Sequence, residues 1–275
     1  MRVTSLDELV EAVRGSQSLR ISGGGTGSAF RNPGPATESC LAVGLSGIVS
    51  HDVSDQVVTV WAGTPISEFQ EALRAYGQCL PIGPSPLFKV DQGTVGGRLS
   101  LSLPHGLEAD CGNWRDWILG MTVVTADGIV AKAGSKAVKN VAGYDVFKLL
   151  VGARGTLAVI AQVILRTFPV KALPEPDLES SAATPEKGLL QHTLTTDFAK
   201  AAAEPDLIAT HPKKSVLYRS EVENPKRFEH DWVLRWGCGD KNLTVEDPTV
   251  ARYMRRAKEL FDPTNKLNPG EMGVV

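Results

Sequence analysis

Apolar residues open the chain at helical spacing: Leu6, Leu9, Val10 and Val13 fall on one face, and Gly15 follows them. Ser5-Leu6-Asp7-Glu8 is a capping-box pattern, so a helix is predicted over residues 5–14. A short strand over 19–22 runs into Gly23-Gly24-Gly25-Thr26-Gly27-Ser28, and β-branched sequence around 41–43 and 57–61 predicts two more strands. Thr64-Pro65 reads as an N-cap with proline at the first helical position. Ile66, Phe69, Leu73 and Tyr76 then form a buried face, closed by Gly77. Residues 81–112 are loop-like and carry a second glycine cluster, Gly93-Thr94-Val95-Gly96-Gly97; a loop of that length inside a domain is usually functional. Strands over 118–125 and 129–133 flank Ala126-Asp127-Gly128, a hairpin turn. A short helix follows Asp145, and 156–168 reads as a long strand. Residues 172–187 contain Pro174, Pro176 and Pro185 and read as a linker. Beyond it, 231–238 has strand character. Asp247-Pro248 caps a last helix in which Val250, Tyr253, Met254, Ala257, Leu260 and Phe261 share a face, before the turn-rich tail at 261–270.

Composition narrows the class. The chain has 275 residues, 42% hydrophobic and 22% charged, enough for one or two domains with a real core. Lys and Arg number 29 against 31 Asp and Glu, a net charge of -2, which gives no reason to expect nucleic acid as a partner. No apolar run approaches the roughly 20 residues of a membrane span, so a soluble, unexported chain is expected, cytoplasmic or membrane-peripheral through a complex. Cys40, Cys79, Cys111 and Cys238 are far apart with no Cys-x-x-Cys pair, which fits isolated thiols rather than a disulfide framework or a metal site.

Glycine is the informative excess, 27 residues gathered in clusters. A run such as 23–28 after a strand lets successive backbone N–H groups face one concavity, a nest suited to a pyrophosphate. No Gly-Lys-Ser/Thr is present, and the glycine spacing misses the dinucleotide fingerprint. Phe30-Arg31-Asn32-Pro33-Gly34-Pro35 cannot begin a helix, so the loop is not a Rossmann strand-to-helix turn. Taken alone, it remains open to reading as a flexible turn.

Several motifs stand in register: Ile21-Ser22-Gly23-Gly24-Gly25-Thr26-Gly27, Trp61-Ala62-Gly63-Thr64, Gly93-Thr94-Val95-Gly96-Gly97 and Asn113-Trp114-Arg115-Asp116-Trp117-Ile118-Leu119-Gly120. In that order they resemble the PCMH-type FAD-binding domain of the vanillyl-alcohol oxidase superfamily. Ala126-Asp127-Gly128, residues 139–145 and 150–160, and the closing Phe261-Asp262-Pro263 to Leu267-Asn268-Pro269-Gly270 resemble the E-type FAD subunits of bacterial glycolate oxidases. The resemblance implies an α+β fold in which two lobes surround FAD. Residues 1–169 would form the FAD-binding domain, 170–246 a linker and shortened cap, and 247–275 a terminal helix and closing motif packing back on that domain. It further implies that Gly23, Gly24, Gly25, Thr26, Gly27 and Ser28 hold the pyrophosphate, and that Thr94, Gly96, Gly97 and Ser100 line the flavin and ribityl chain. Asp116 and Gly120 would lie near the adenosine end, Val159 and Ile160 against the adenine through main-chain atoms, and Asn268 beside the flavin edge.

The function so implied is an FAD-linked oxidoreductase subunit of a glycolate oxidase-like complex. A 2-hydroxy acid would pass a hydride to the flavin, and electrons would leave through flavoprotein and iron–sulfur partner subunits. Neither His nor Cys occurs in the first glycine segment, which favours noncovalent FAD. His105 is a weak catalytic candidate, a proton acceptor facing the flavin, against the alternative of a surface loop histidine. Asp116 can equally be a cap or pair with Arg115 or Arg154, Cys111 an inert thiol, Tyr144 a packing residue and Asp145 a helix cap. Arg252, Arg255, Arg256 and Lys258 read as a solvated basic face, or else a docking patch. No metal site is expected. Only about 80 residues separate the FAD-like part from the last helix, less than the cap domain of full-length relatives. A second reading is therefore a non-catalytic FAD-domain subunit supporting a catalytic flavoprotein partner.

Overall fold

The computed structural model describes residues 1–32, 39–136, 145–180, 188–193, 207–214, 216–219, 230–236 and 248–271. Lys139 to Tyr144, Cys238 and Asp247, which the sequence singles out, lie outside the described residues.

The chain begins with β1 (Arg2–Val3), α1 (Leu6–Gly15), β2 (Leu19–Ser22) and β3 (Ser39–Val43). α1 starts as its capping pattern requires: Ser5 Oγ accepts from Glu8 N at 3.1 Å. The reciprocal contact is displaced by one residue, because the Glu8 carboxylate accepts from Thr4 N at 2.7 Å. β1 and β2 flank β3 in a small parallel sheet. β4 (Ile48–Asp52), β5 (Val57–Trp61), α2 (Ile66–Arg74) and the two-residue β6 (Gln78–Cys79) follow. Two expectations about α2 are corrected. Thr64 is no N-cap, since its hydroxyl donates to Trp61 O at 2.7 Å and accepts from Gly47 N. Tyr76 lies beyond the helix and is 61% exposed, so the buried face is Ile66, Phe69, Gln70 and Leu73.

The expected loop at 81–112 is also corrected, because it contains α3 (Val95–Leu101) and α4 (Glu108–Cys111), followed by α5 (Trp114–Trp117). β7 (Ile118–Val124) and β8 (Val130–Gly134) form the anticipated hairpin, with Gly128 at φ +79° in the turn. After a 3-10 turn at Val146–Leu150 come β9 (Val159–Arg166) and β10 (Phe168–Pro169). The central sheet is antiparallel in the order β4-β5-β9-β7-β8. β7 and β9 are covered on both faces and accordingly read as nearly continuous apolar runs, whereas β8 is an edge strand with alternating burial. One hydrophobic core joins Leu9 and Val13 of α1, Phe69 and Leu73 of α2, Leu99 of α3, the paired Trp114 and Trp117, and the inner residues of β5, β7 and β9.

Past residue 178 a second antiparallel sheet forms in the order β11-β13-β14-β12-β15, from β11 (Glu179–Ser180), β12 (Gly188–Thr193), β13 (Leu207–His211), β14 (Val216–Arg219) and β15 (His230–Trp236). Its described side chains Ala209, Val216 and Tyr218 pack with Phe30 and Leu103 in a smaller core. The chain then returns in α6 (Pro248–Phe261). The expected apolar face of α6 is only partly buried. Ala257 and Phe261 pack on the main core, while Val250, Tyr253 and Leu260 are exposed. Lys258, expected on a solvated basic face, is instead buried.

Candidate functional site

The two glycine-rich segments meet. The first leaves the C-terminal end of β2, with Gly25 at φ +75°, and ends in a single 3-10 turn at Ser28–Phe30. The second is the start of α3, where Thr94 Oγ1 caps the helix by accepting from Gly97 N at 3.2 Å. A Cβ on Gly23 would collide with the Thr94 hydroxyl, and one on Gly27 would come within 2.6 Å of Leu101 Cδ1. Gly96 N donates to Ala62 O at 2.8 Å, and a Cβ there would sit 2.7 Å from the Ala62 methyl. Bare backbone is thus required at Gly23 and Gly96, where β2, β5 and α3 converge, and this convergence makes one wall of a cleft of about 740 Å³.

Twelve of the sequence-predicted residues line that cleft: Gly23, Gly24, Gly25, Thr26, Gly27, Ser28, Thr94, Gly96, Gly97, Ser100, Ile160 and Asn268. Asp116, Gly120 and Val159 are not among its lining residues. Asp116 closes the capping box of α5, its carboxylate accepting from Asn113 N at 2.9 Å, so the capping alternative describes its observed role. Gly120 is a packing glycine, since a Cβ would meet Ala133 O at 3.0 Å and Ile164 Cδ1 at 3.1 Å. Val159 is buried in β9 opposite Val124.

His105 is neither in the cleft nor on the surface. It is buried against Trp117, with ring centroids 5.5 Å apart. Its Nδ1 accepts from Gly83 N at 3.2 Å and Leu107 N at 3.3 Å, so that nitrogen is committed to shaping the loop rather than to accepting a substrate proton. Cys111 is a free thiol near Trp117, and burial raises its pKa, which suppresses the thiolate.

Sequence reasoning missed the charged floor of the cleft. Glu271, 1% exposed, pairs with Arg154 Nη1 at 3.1 Å and Arg31 Nε at 3.2 Å, with Arg20 at 4.0 Å. Arg154 reaches inward because it sits at φ +55° between Gly152 and Gly155, and it also donates to Phe30 O. Burial pushes the Glu271 carboxyl up against the opposing pull of Arg31 and Arg154, and burial likewise lowers Arg154. The partners come from residues more than 100 positions apart, so no local spacing announces them. The Gly-Ala-Arg-Gly turn was the one available signal.

The fold and this cleft define the class: residues 1–134 match the family model described as an FAD binding domain, and this part of the chain is a PCMH-type FAD-binding domain. Among characterised proteins, the chain is 33% identical to glycolate oxidase subunit GlcE of Escherichia coli strain K12 over 165 residues, 60% of this chain and 46% of that one. It is 32% identical to a D-lactate dehydrogenase of Archaeoglobus fulgidus over 136 residues, 47% of this chain and 30% of that protein. The chain therefore spans less than half the length of these relatives. Among solved structures, an alkyldihydroxyacetonephosphate synthase superposes with a TM-score of 0.52, covering 74% of this chain and 35% of that one; at 19% identity this shows the fold alone. No helix among the described residues is long and apolar enough to cross a membrane.

Proposed function

We propose that the chain holds FAD noncovalently in the cleft and serves as the FAD-carrying subunit of a complex that oxidises a 2-hydroxy acid. The observation that carries this reading is that both glycine-rich segments line one cleft, with Gly25 at φ +75° and open space where its Cβ would stand. Residues 23–28 would face the pyrophosphate with main-chain N–H groups, and Thr94, Gly96, Gly97 and Ser100 would line the remaining length of the cofactor. No His or Cys lines the cleft among the described residues, which supports noncovalent retention. When bound, FAD would supply the two-electron chemistry, and the protein's part is to hold and orient it. The names of the relatives, glycolate oxidase subunit and D-lactate dehydrogenase, support a 2-hydroxy acid as substrate class and a hetero-oligomer as the working form. Flavoprotein and iron–sulfur subunits would then carry electrons away.

A second reading is favoured by one specific observation. Glu271 is the only carboxylate lining the cleft among the described residues, and it is locked between arginines, which leaves no evident general base. On that reading the chain holds FAD as a non-catalytic subunit beside a catalytic partner. The test is the absorption spectrum of the purified chain before and after acid precipitation, followed by anaerobic addition of glycolate or D-lactate. Flavin released to the supernatant and bleached by substrate supports an autonomous dehydrogenase. Flavin that is released but never bleached supports the supporting subunit, and a colourless chain that takes up no added FAD overturns both.

A further inference from the structure

Four arginines line the cleft: Arg20, Arg31, Arg98 and Arg154. Three of them contact Glu271, a single carboxylate that each of them engages directly. Arg98 differs. It lies on α3, is 7% exposed, has no ion-pair partner among the described residues, and its Nη1 has no hydrogen-bond acceptor. Its guanidinium is stacked on Phe88, with Cζ 3.3 Å from the ring centroid. That stacking satisfies a face of the planar group and leaves the in-plane N–H donors to be used elsewhere. Burying a cation without a counter-ion disfavours its charged form, and burial alone lowers the Arg98 pKa to about 9. An anion beside it would complete its pairing.

Its location indicates which anion. The position a Cβ would take on Gly93 lies 3.0 Å from Thr26 Oγ1 and 3.5 Å from Arg98 Cγ and Cδ. Gly93 is thus flanked by Thr26 of the first glycine-rich segment and by the arginine stem, on the wall where the two segments meet. That segment offers only uncharged donors, main-chain N–H groups and the Thr26 and Ser28 hydroxyls, whereas a dinucleotide diphosphate carries two negative charges. We propose that Arg98 is the charged anchor of the cofactor diphosphate, a side-chain cation that completes the glycine nest and makes the cleft select dinucleotides over the bare flavin. The inference rests on the FAD reading above and assigns the oxyanion contact to Arg98, the cleft arginine that Glu271 does not engage.

The test uses the full chain freed of flavin, titrated separately with FAD, ADP and riboflavin, as wild type, Arg98→Met and Arg98→Lys. Arg98→Met is expected to weaken FAD and ADP at least tenfold and leave riboflavin within twofold, while the flavin-free protein melts at an equal or higher temperature because an unpaired buried charge is gone. Arg98→Lys keeps the charge and recovers part of the loss. If Arg98→Met binds FAD and ADP as the wild type does, the anchor role is overturned and FAD binding stands. Equal loss of all three ligands with a lower melting temperature makes Arg98 a structural residue and also overturns it. A wild type that binds none of the three overturns the FAD reading together with this one.

Discussion

Asn268 holds Ile21 from the other end of the chain: its side-chain oxygen accepts from Ile21 N at 2.6 Å, while its amide nitrogen donates to Arg154 O at 2.6 Å. Its own main-chain N donates to Leu19 O at 2.8 Å, and it adopts φ +45°, a conformation asparagine tolerates better than most residues. Both ends of the amide are spent on backbone, at the root of the first glycine-rich segment and at the arginine turn. The residue is a latch that fixes the cleft walls as well as one of their lining groups.

Asn268→Ala should therefore destabilise the protein by about 2–3 kcal/mol, the cost of leaving a buried N–H and a buried carbonyl unpaired. Asn268→Asp keeps the acceptor for Ile21 but sets a carboxylate oxygen against Arg154 O, so it should be no better. Urea unfolding monitored by circular dichroism checks both. An Asn268→Asp protein of wild-type stability that nevertheless lost flavin affinity would show a ligand contact in place of a latch.

Lys258 and Asp262 bind the last helix to the closing motif. The ammonium donates to Asp262 Oδ2 at 2.6 Å, Thr156 O at 2.8 Å and Leu267 O at 2.7 Å, so all three of its hydrogens are used. Asp262 in turn accepts from Lys266 N and Leu267 N. Lys258→Met should cost about 3–5 kcal/mol, because it strands a buried carboxylate and two carbonyls. Adding Asp262→Asn to Lys258→Met should restore part of the loss, and a double-mutant cycle of unfolding free energies measures that coupling.

These contacts mark where local sequence ceases to report the fold. α1, the Asp-Gly hairpin and the glycine segments are legible because a cap, a turn or a bare backbone is written into a few adjacent residues. α3 was not, since Val95-Gly96-Gly97-Arg98 has poor helix propensity. It forms because Gly96 fits against Ala62 and Val95 N finds Thr64 O at 2.9 Å. Lys258 reads as solvated because a lysine on a basic helix usually is; its burial is tolerable because Asp262, four positions on, and two carbonyls 102 and 9 positions away accept its three hydrogens. The central lining of the cleft came through in the sequence. Its arginine–glutamate floor did not, because ion pairs between residues 31, 154 and 271 leave no periodic trace.

Gly25 separates stability from binding at the cleft. A Cβ there would meet nothing within 4 Å, so Gly25→Leu would project into open space at a backbone cost of about 1–2 kcal/mol for the positive φ. FAD affinity should fall at least tenfold. Gly96→Ala should instead act chiefly on folding, by about 1–3 kcal/mol, since its methyl collides with Ala62. Flavin-fluorescence titration beside thermal melts distinguishes the two. Unchanged FAD affinity in Gly25→Leu would place the cofactor elsewhere.

The second sheet carries a pH dependence of definite sign. His211 is buried, with Nδ1 against Asp177 O and Nε2 2.8 Å from the Tyr218 hydroxyl. A carbonyl can only accept, so Nδ1 carries the hydrogen and Nε2 accepts from Tyr218, an arrangement that suits neutral imidazole. Burial lowers the His211 pKa despite the opposing Asp177 carbonyl, and it raises that of Tyr218, so the phenol keeps its proton. Below the ordinary histidine pKa of about 6.5, the unfolded chain binds a proton that the folded chain refuses. The stability tied to this group is complete above that pH, declines as pH falls, and levels off once the lower folded pKa is passed. Urea midpoints at pH 7.5, 6.5 and 5.5 should fall more steeply for the wild type than for His211→Asn, which retains a donor toward Asp177 without titrating. Parallel curves for the two proteins would show that His211 takes up its proton without resistance and that the Tyr218 contact does not hold it neutral.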